Sequence, residues 1–512
     1  MHKLRTTTLH AAGALLVAAH LAGFGNGARA APAANSAPQA RTDVYGIVNL
    51  VPFQPFLAHV NARGQAAFEY IGLDYRTHVG FFDGQRVLHP IVPERSISFL
   101  GALNDGGEVA FVASYVEPGE PWNTTLQPFR WSAARGLAQL PSRGAEFDNW
   151  IPAMNNKGVV VGGAYIGSDP ASARAVRWSA ANGLRTLPSP PGYSTSYAFD
   201  INEHNVSVGS TDAGGVSHAT RWDSANRPTV LGTLGGTYAI AMYNNERGDI
   251  AGMLDGGTLD ARAFLWSPDR GVASPGPNAV VAGLNESGEI AGRIVDPAGG
   301  SRAFLYSRAR GLVDLHPASL LVSEVNGLND DGVSVGLAWG SDGGRRAWRW
   351  LRSGAGVDLN RRLVNPPAGL ELASALAIGA NGDILAESNA GLVLLRRGGG
   401  TDAPVLGPIN LPDPVLNRPL PLALSFRDRN IGERHTATVD WGDGRGPQPA
   451  TVREANGSGE VSAVHTVTTA GEYNIFVRVT DSLGKSTLQY VQQQIGFRAV
   501  AAPRATRARP MH

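Results

Sequence analysis

The nine residues LNESGEIAG at 284–292 hold nothing reactive, yet NNERGDIAG precedes them at 244–252 and LNDDGVSVG follows at 328–336. The shared pattern is Asn-x-x-Gly followed by an aliphatic run, and it also starts at Asn61, Asn104 and Asn155. Asn202 begins a seventh copy with Asn205 in the glycine place, which fits because asparagine also tolerates positive φ. An eighth copy, AIGANGDILA at 377–386, puts Gly379 where asparagine is expected and keeps Gly382. Successive copies lie 43, 51, 47, 43, 40, 44 and 50 residues apart. A period of about 40 to 50 residues is the length of one four-stranded propeller blade.

Each copy reads as a hairpin. The asparagine side chain caps the turn, the central pair stays polar, and the glycine takes the left-handed conformation that a tight turn needs. A second glycine follows the first by four residues at Gly162, Gly209, Gly252, Gly292 and Gly336, where it predicts close backbone approach inside a strand. Phe68, Phe111 and Ala386 replace it in the first, second and eighth copies, so those blades are expected to pack differently. An aromatic strand comes next, as in AVRWS, ATRWD and AFLWS, and then Gly-Leu and a short apolar strand. No stretch carries a long 3.6-residue apolar period, so little helix is expected.

The last copy ends at GLVLLRR without a fourth strand, while VYGIVNLVPF at 44–53 stands ahead of the first copy as a strand without a blade. Pairing the two closes an eight-bladed ring and hides its edges. A seven-bladed ring remains as the alternative, with one end copy outside it. The fold class is therefore all-β: a β-propeller over 43–397, followed by a linker at 398–409 and a smaller β domain at 410–497.

The ends carry other signals. Lys3 and Arg5 precede an apolar run that closes on Ala28-Arg29-Ala30, the form of a secretory leader, giving a signal peptide at 1–30 and a disordered linker at 31–42. No later stretch approaches the roughly 20 apolar residues of a membrane span. Export to the periplasm or the extracellular space is expected, without an integral membrane segment once the leader is removed. Residues 498–512 read as a frayed basic tail. The chain has no cysteine, which excludes disulfides, thiolate metal sites and a lipid-anchoring thiol. Its 44 basic and 43 acidic side chains nearly cancel, so no global field draws in nucleic acid or an anionic membrane. Glycine at 64 residues and proline at 33 fit many turns between short strands.

The repeats resemble the HAF repeat, a family of extracellular repeats, best in AFDINEHNVSVG and VAGLNESGEIAG. That resemblance implies an exported propeller-like protein and brings no catalytic residues with it. The stretch after the linker is similar to a PKD domain, through the turn Trp441 to Gly444, His465-Thr466, Gly471, Tyr473, and Thr480-Asp481. It implies an immunoglobulin-like β-sandwich. Read from the residues alone, YNIFVRVTD alternates as a half-buried strand, and Trp441 is expected to fill the sandwich core rather than stack on a ligand.

Signatures of chemistry are sparse. Neither His-Glu-x-x-His nor Gly-x-Ser-x-Gly occurs, and the carboxylates of LNDDG and DWGDG lack the alternating ligand spacing of a calcium loop. No catalytic residue, metal ligand or cofactor is expected. One column stands out: Arg174, His218, Arg262, Arg302 and Arg346 each precede the aromatic of the third strand by four residues, in five successive copies. Two readings are open for it. Its members rivet neighbouring blades through cation–π or ion-pair contacts, or they form a basic, aromatic-edged face that binds an anionic glycan. The expected function is adhesion or surface binding by a monomer whose partner is an extracellular polysaccharide or a cell-surface protein. A polysaccharide lyase or glycosidase at the propeller axis, and a structural spacer, are the alternatives.

Overall fold

The computed structural model describes residues 44–496 apart from 52–54, 73–75, 85–86, 89–90, 92–95, 116–125, 143–146, 167–170, 172, 256–260, 298, 365, 368, 398–403, 429–433, 456 and 482–485. The expected leader, the linker at 31–42, the basic tail and the first half of the second linker lie outside the described residues. The chain divides into two compact units, residues 1–399 and 400–512.

The first unit is an eight-bladed β-propeller. Seven antiparallel four-stranded sheets follow one another along the chain, each in simple sequential order. Their first strands are Pro55–Val60, Ser96–Leu103, Phe147–Met154, Thr195–Ile201, Ala239–Asn244, Ala279–Leu284 and Val322–Leu328 (blades 1 to 7). Blade 8 has three strands of its own, Leu372–Ile378, Ile384–Ser388 and Gly391–Arg397, and takes Tyr45–Val51 as its fourth. Tyr45 sits opposite Arg397 and Ile47 opposite Leu395, so the earliest described strand latches the last blade. First strands of successive blades lie against one another around the axis, and the strand of blade 8 meets that of blade 1. Helix is nearly absent among the described residues; a 3-10 turn at Leu359–Arg362 is one short piece.

The core lies in wedges between blades. Val208, Ala219, Ala241, Ile250 and Phe264 pack blade 4 against blade 5; Tyr243, Leu265, Val281 and Phe304 pack blade 5 against blade 6. The third-strand aromatics Trp178, Trp222 and Trp350 are fully buried in these layers. Every blade buries both faces, which is why its strands are apolar on both sides.

The repeated turn does two jobs. All eight glycine-place residues, from Gly64 at φ 72° through Asn205 at 57° to Gly382 at 84°, are left-handed. The asparagine Oδ1 accepts from backbone N–H groups two and four residues on, as Asn245 does from Arg247 (3.1 Å) and Asp249 (2.9 Å). Its Nδ2 donates instead to the next blade: Asn61 to Asn104 O, Asn155 to Asn202 O, Asn202 to Asn245 O, Asn245 to Asn285 O and Asn285 to Asn329 O, at 3.0 to 3.1 Å. Asn104 and Asn329 continue the series at 3.3 and 3.4 Å, ending on Gly379 O. A second ring runs beside it. In blades 2 to 7 the residue after the asparagine accepts from the equivalent backbone N–H of the preceding blade: Asp105 from Ala62, Asn156 from Asp105, Glu203 from Asn156, Glu246 from Glu203 and Asp330 from Glu286, at 2.7 to 2.9 Å, and Glu286 from Glu246 at 3.1 Å.

The strand glycines answer to a bulge. In blades 2 to 8 the first strand carries one just before the turn, as between Ala241 and Tyr243 or Val281 and Gly283. It drives a carbonyl at the second strand, so a Cβ at Gly252 or Gly292 would lie 1.9 Å from the oxygen of Ile240 or Val280. Where Phe111 replaces the glycine, Gly101 occupies the bulge itself, and in blade 1 the irregularity falls between Pro55 and Ala58, on the side of the Ala58–Phe68 pair remote from the turn.

The second unit departs from the expected two-sheet sandwich. Its seven strands form one continuous order, Val405–Leu406, Pro419–Arg427, Ser458–Thr466, Gln448–Ala455, His435–Asp440, Gly471–Asp481 and Ser486–Ile495, with the first strand close to the last in a nearly closed barrel. The reason is Gln448–Ala455. Its first residues pair with Ala437–Val439 and its remainder with 458–462, so one strand turns the corner that would separate two sheets. Trp441 is 3% exposed and packs with Leu420, Val439 and Ile475, as expected of a core residue.

Candidate ligand-binding surfaces

Because strands alternate in direction, the asparagine turns and the turns joining third to fourth strands share one face of the propeller. The loops joining second to third strands, and those between blades, share the other. The basic column lies at the start of the third strands and so belongs to this second face.

The column is not a ring of rivets. Arg262 donates from Nε to Asp255 at 2.9 Å, and Arg302 and Arg346 are ion-paired with Asp314 and Asp342, each within its own blade. The Asp255 carboxyl is held below its ordinary range, first by the Thr237 N–H and then by Arg262; Arg346 does the same to Asp342. Residues four apart on a strand share a face but stand about 13 Å apart, beyond the roughly 6 Å of a cation–π contact. The aromatics four residues on are therefore not their partners.

Arg174 and His218, on blades 3 and 4, differ from the other three. Arg174 donates to Ala173 O at 2.7 Å, and His218 donates from its ring to Val216 O at 3.0 Å while standing edge-on to Tyr193 at 5.3 Å. Among the described residues neither is paired with a carboxylate. Register places Arg174 in one row with Ala164 and Asn149, next to Trp150, and His218 in one row with Thr211 and Ser196, next to Tyr197. Trp150 stands edge-on to Phe199 of blade 4 at 5.1 Å. Trp150, Tyr193, Tyr197 and Phe199 are all half-buried; Tyr193 stands against His218, Trp150 and Tyr197 flank Gly163 beside the two rows, and Phe199 lies in the bulge before the blade 4 asparagine turn. The pattern that picked out the column could not see this asymmetry, because the aromatics sit on other strands.

Two carboxylates stand among the described side chains of the inner strands. Asp200 accepts from the backbone N–H groups of Ile201 and Asn244, both at 2.8 Å. Glu324 accepts from Ser301 Oγ at 2.8 Å and lies 3.5 Å from Arg293. In the second unit, Asp443 of the Trp-Gly-Asp-Gly turn lies 3.0 Å from His465 Nε2, and the His465 ring stacks on Trp441 at 5.0 Å. Among the described residues no three of His, Cys, Asp and Glu converge as a metal would require, and no helix is long and apolar enough to cross a membrane.

On the asparagine-turn face a cavity of about 280 Å³ opens between blades 4 and 5. Its walls include Val206, Ile250 and Pro268, with Arg221, Arg247, His204 and Glu246. His204 Nδ1 lies 2.8 Å from Glu246 Oε2.

No protein-family model matches this chain, so its likeness to the HAF and PKD families rests on the residues quoted above. No curated protein matches it either. Among solved structures, a PKD domain of an M14-like peptidase from Thermoplasmatales archaeon SCGC AB-540-F20 is 19% identical over 18% of this chain and 97% of its own, at a TM-score of 0.15. Dipeptidyl peptidase 4 of Porphyromonas gingivalis is 10% identical over 74% of this chain and 58% of its own, at 0.38. A mutant Aleuria aurantia lectin in complex with Fucα1-6GlcNAc is 12% identical over 65% of this chain and 100% of its own, at 0.26. These likenesses are too slight to argue from, and the propeller rests on its own strand pairing.

Proposed function

We propose that this chain is an exported, non-enzymatic binding protein that recognises glycans or other surface polymers as a monomer. The observation that carries the reading is the placement on blades 3 and 4 of Arg174 and His218, which meet no described carboxylate, with Tyr193 against His218 and the half-buried Trp150 and Tyr197 beside the rows that hold them. Aromatic rings with an apolar body and a polar tip suit ligands that are themselves part apolar and part polar. The Arg174 guanidinium adds attraction for acidic groups. Arg262, Arg302 and Arg346 contribute less, since local carboxylates offset their charge. The inner-strand carboxylates Asp200 and Glu324 are engaged by structural donors, which favours binding over a glycosidase at the axis.

The test is a glycan array read for both retention and turnover. The parent should bind without cleavage, Arg174→Gln with His218→Gln should abolish binding, and Arg262→Gln with Arg302→Gln and Arg346→Gln should largely keep it. Cleavage products would overturn the non-enzymatic reading, and no binding by the parent would leave the propeller as a spacer.

A further inference from the structure

The residue before the third-strand aromatic is arginine in four blades: Arg130, Arg177, Arg221 and Arg349. Three of them bridge a seam. Arg177 of blade 3 donates to Asn226 Oδ1 at 2.6 Å and Ser207 Oγ at 2.8 Å, both on blade 4. Arg130 reaches Gly158 O of blade 3 at 3.4 Å, and Arg349 reaches the hydroxyl of Tyr45 on blade 8 at 3.3 Å. At the seam between blades 4 and 5, both side-chain acceptors that Arg177 uses have been exchanged. Ile250 stands where blade 4 has Ser207, and, in the turn, Pro268 where it has Ser224. In that turn Arg270, in the place of Asn226, is itself a cation, held by Asp269 at 3.1 Å. Arg221 is left half-buried against the cavity without a hydrogen-bond or ion-pair partner among the described residues.

We infer that this seam cavity is a binding site for a small organic carboxylate, whose two oxygens take the place of the missing side-chain acceptors on Arg221. A guanidinium is a planar fork that matches a carboxylate bidentately. Arg247, on the blade 5 turn, supplies a second positive charge. Glu246 opposes an anion, but its charge is shared with His204 and with the Glu203 N–H at 2.8 Å. Val206, Ile250 and Pro268 give the ligand body an apolar wall, and about 280 Å³ holds a body of monosaccharide size. The site lies on the opposite face from the blade 3 and 4 surface and stands independently of it.

The experiment is titration calorimetry at low salt on the full chain with glucuronate, isobutyrate and glucose. The control is Arg221→Leu, because blades 5 and 6 carry Leu265 and Leu305 at this position and fold with them. At least one of the two acids should bind, glucose should not, and Arg221→Leu should weaken binding about tenfold or more with an unchanged melting temperature. Which acid binds better tells whether the natural body is a sugar or an aliphatic chain. Silence from both acids, equal binding of glucose, or acid binding that survives in Arg221→Leu would each overturn the site.

Discussion

Asn245 joins two blades through one side chain, holding its own turn with Oδ1 and reaching Asn285 O with Nδ2. Asn245→Ala should therefore leave buried groups unsatisfied at both ends and destabilise the propeller by about 2 to 4 kcal/mol, read as a shift in the denaturant midpoint. Gly292 is stricter, because a Cβ there would lie 1.9 Å from Val280 O. Gly292→Ala should lower expression of folded protein sharply, whereas Ala386→Gly in blade 8 should cost about 1 kcal/mol or less. The turn chemistry of these residues was legible in the sequence: eight positive-φ positions were marked by seven glycines and one asparagine. The inter-blade reach of the asparagine amide was not, nor was the second ring through Asp105, Glu203 and Asp330. Both depend on where the neighbouring blade sits, and a turn read alone carries no such information.

At the scale of strands, the bulge of blade 2 is met by two titratable side chains from blade 1. Glu69 is 3% exposed and accepts from the Leu100 N–H at 2.9 Å; burial pushes its carboxyl up to about 7. His59 is 2% exposed, and burial lowers its ring to about 4 against a hydrogen bond to the Gly101 backbone. A carboxyl whose pKa is raised on folding contributes stability below its unfolded value near 4.5, and loses it as pH rises through about 7. Glu69→Gln removes that loss. The variant should match the parent at pH 4 and exceed it by about 3 kcal/mol at pH 8, with the difference growing between pH 4.5 and 7 in chemical denaturation. A constant offset at all pH values would show that Glu69 is not the titrating group. The sequence placed these strands correctly but could not mark Glu69 and His59, since polar residues in alternating strands usually face water.

For the molecule as a whole, the two units should titrate separately. In the second, His435 is buried with Nδ1 2.6 Å from Glu454 and Nε2 3.0 Å from Asp428. Burial works against the charged ring, but the bonds to Asp428 and Glu454 outweigh it and hold the pKa above its ordinary value. Its stabilisation is full below about 6.5 and is lost as pH rises through the raised value. The melting temperature of this unit should fall on the alkaline side, and His435→Gln should flatten that fall; an unchanged slope would refute the assignment. The propeller was legible at this scale because a period repeats eight times. The barrel was misjudged as a sandwich because the corner strand Gln448–Ala455 differs from an ordinary one only in which partners it takes. The latch of Tyr45–Val51 on Gly391–Arg397 sets an order in time. The ring's N-terminal strand waits at the ribosome for its C-terminal one, so a nascent chain stalled anywhere short of blade 8 holds an open arc with two unpaired edges, and the finished ring is in effect a proof that translation reached residue 397.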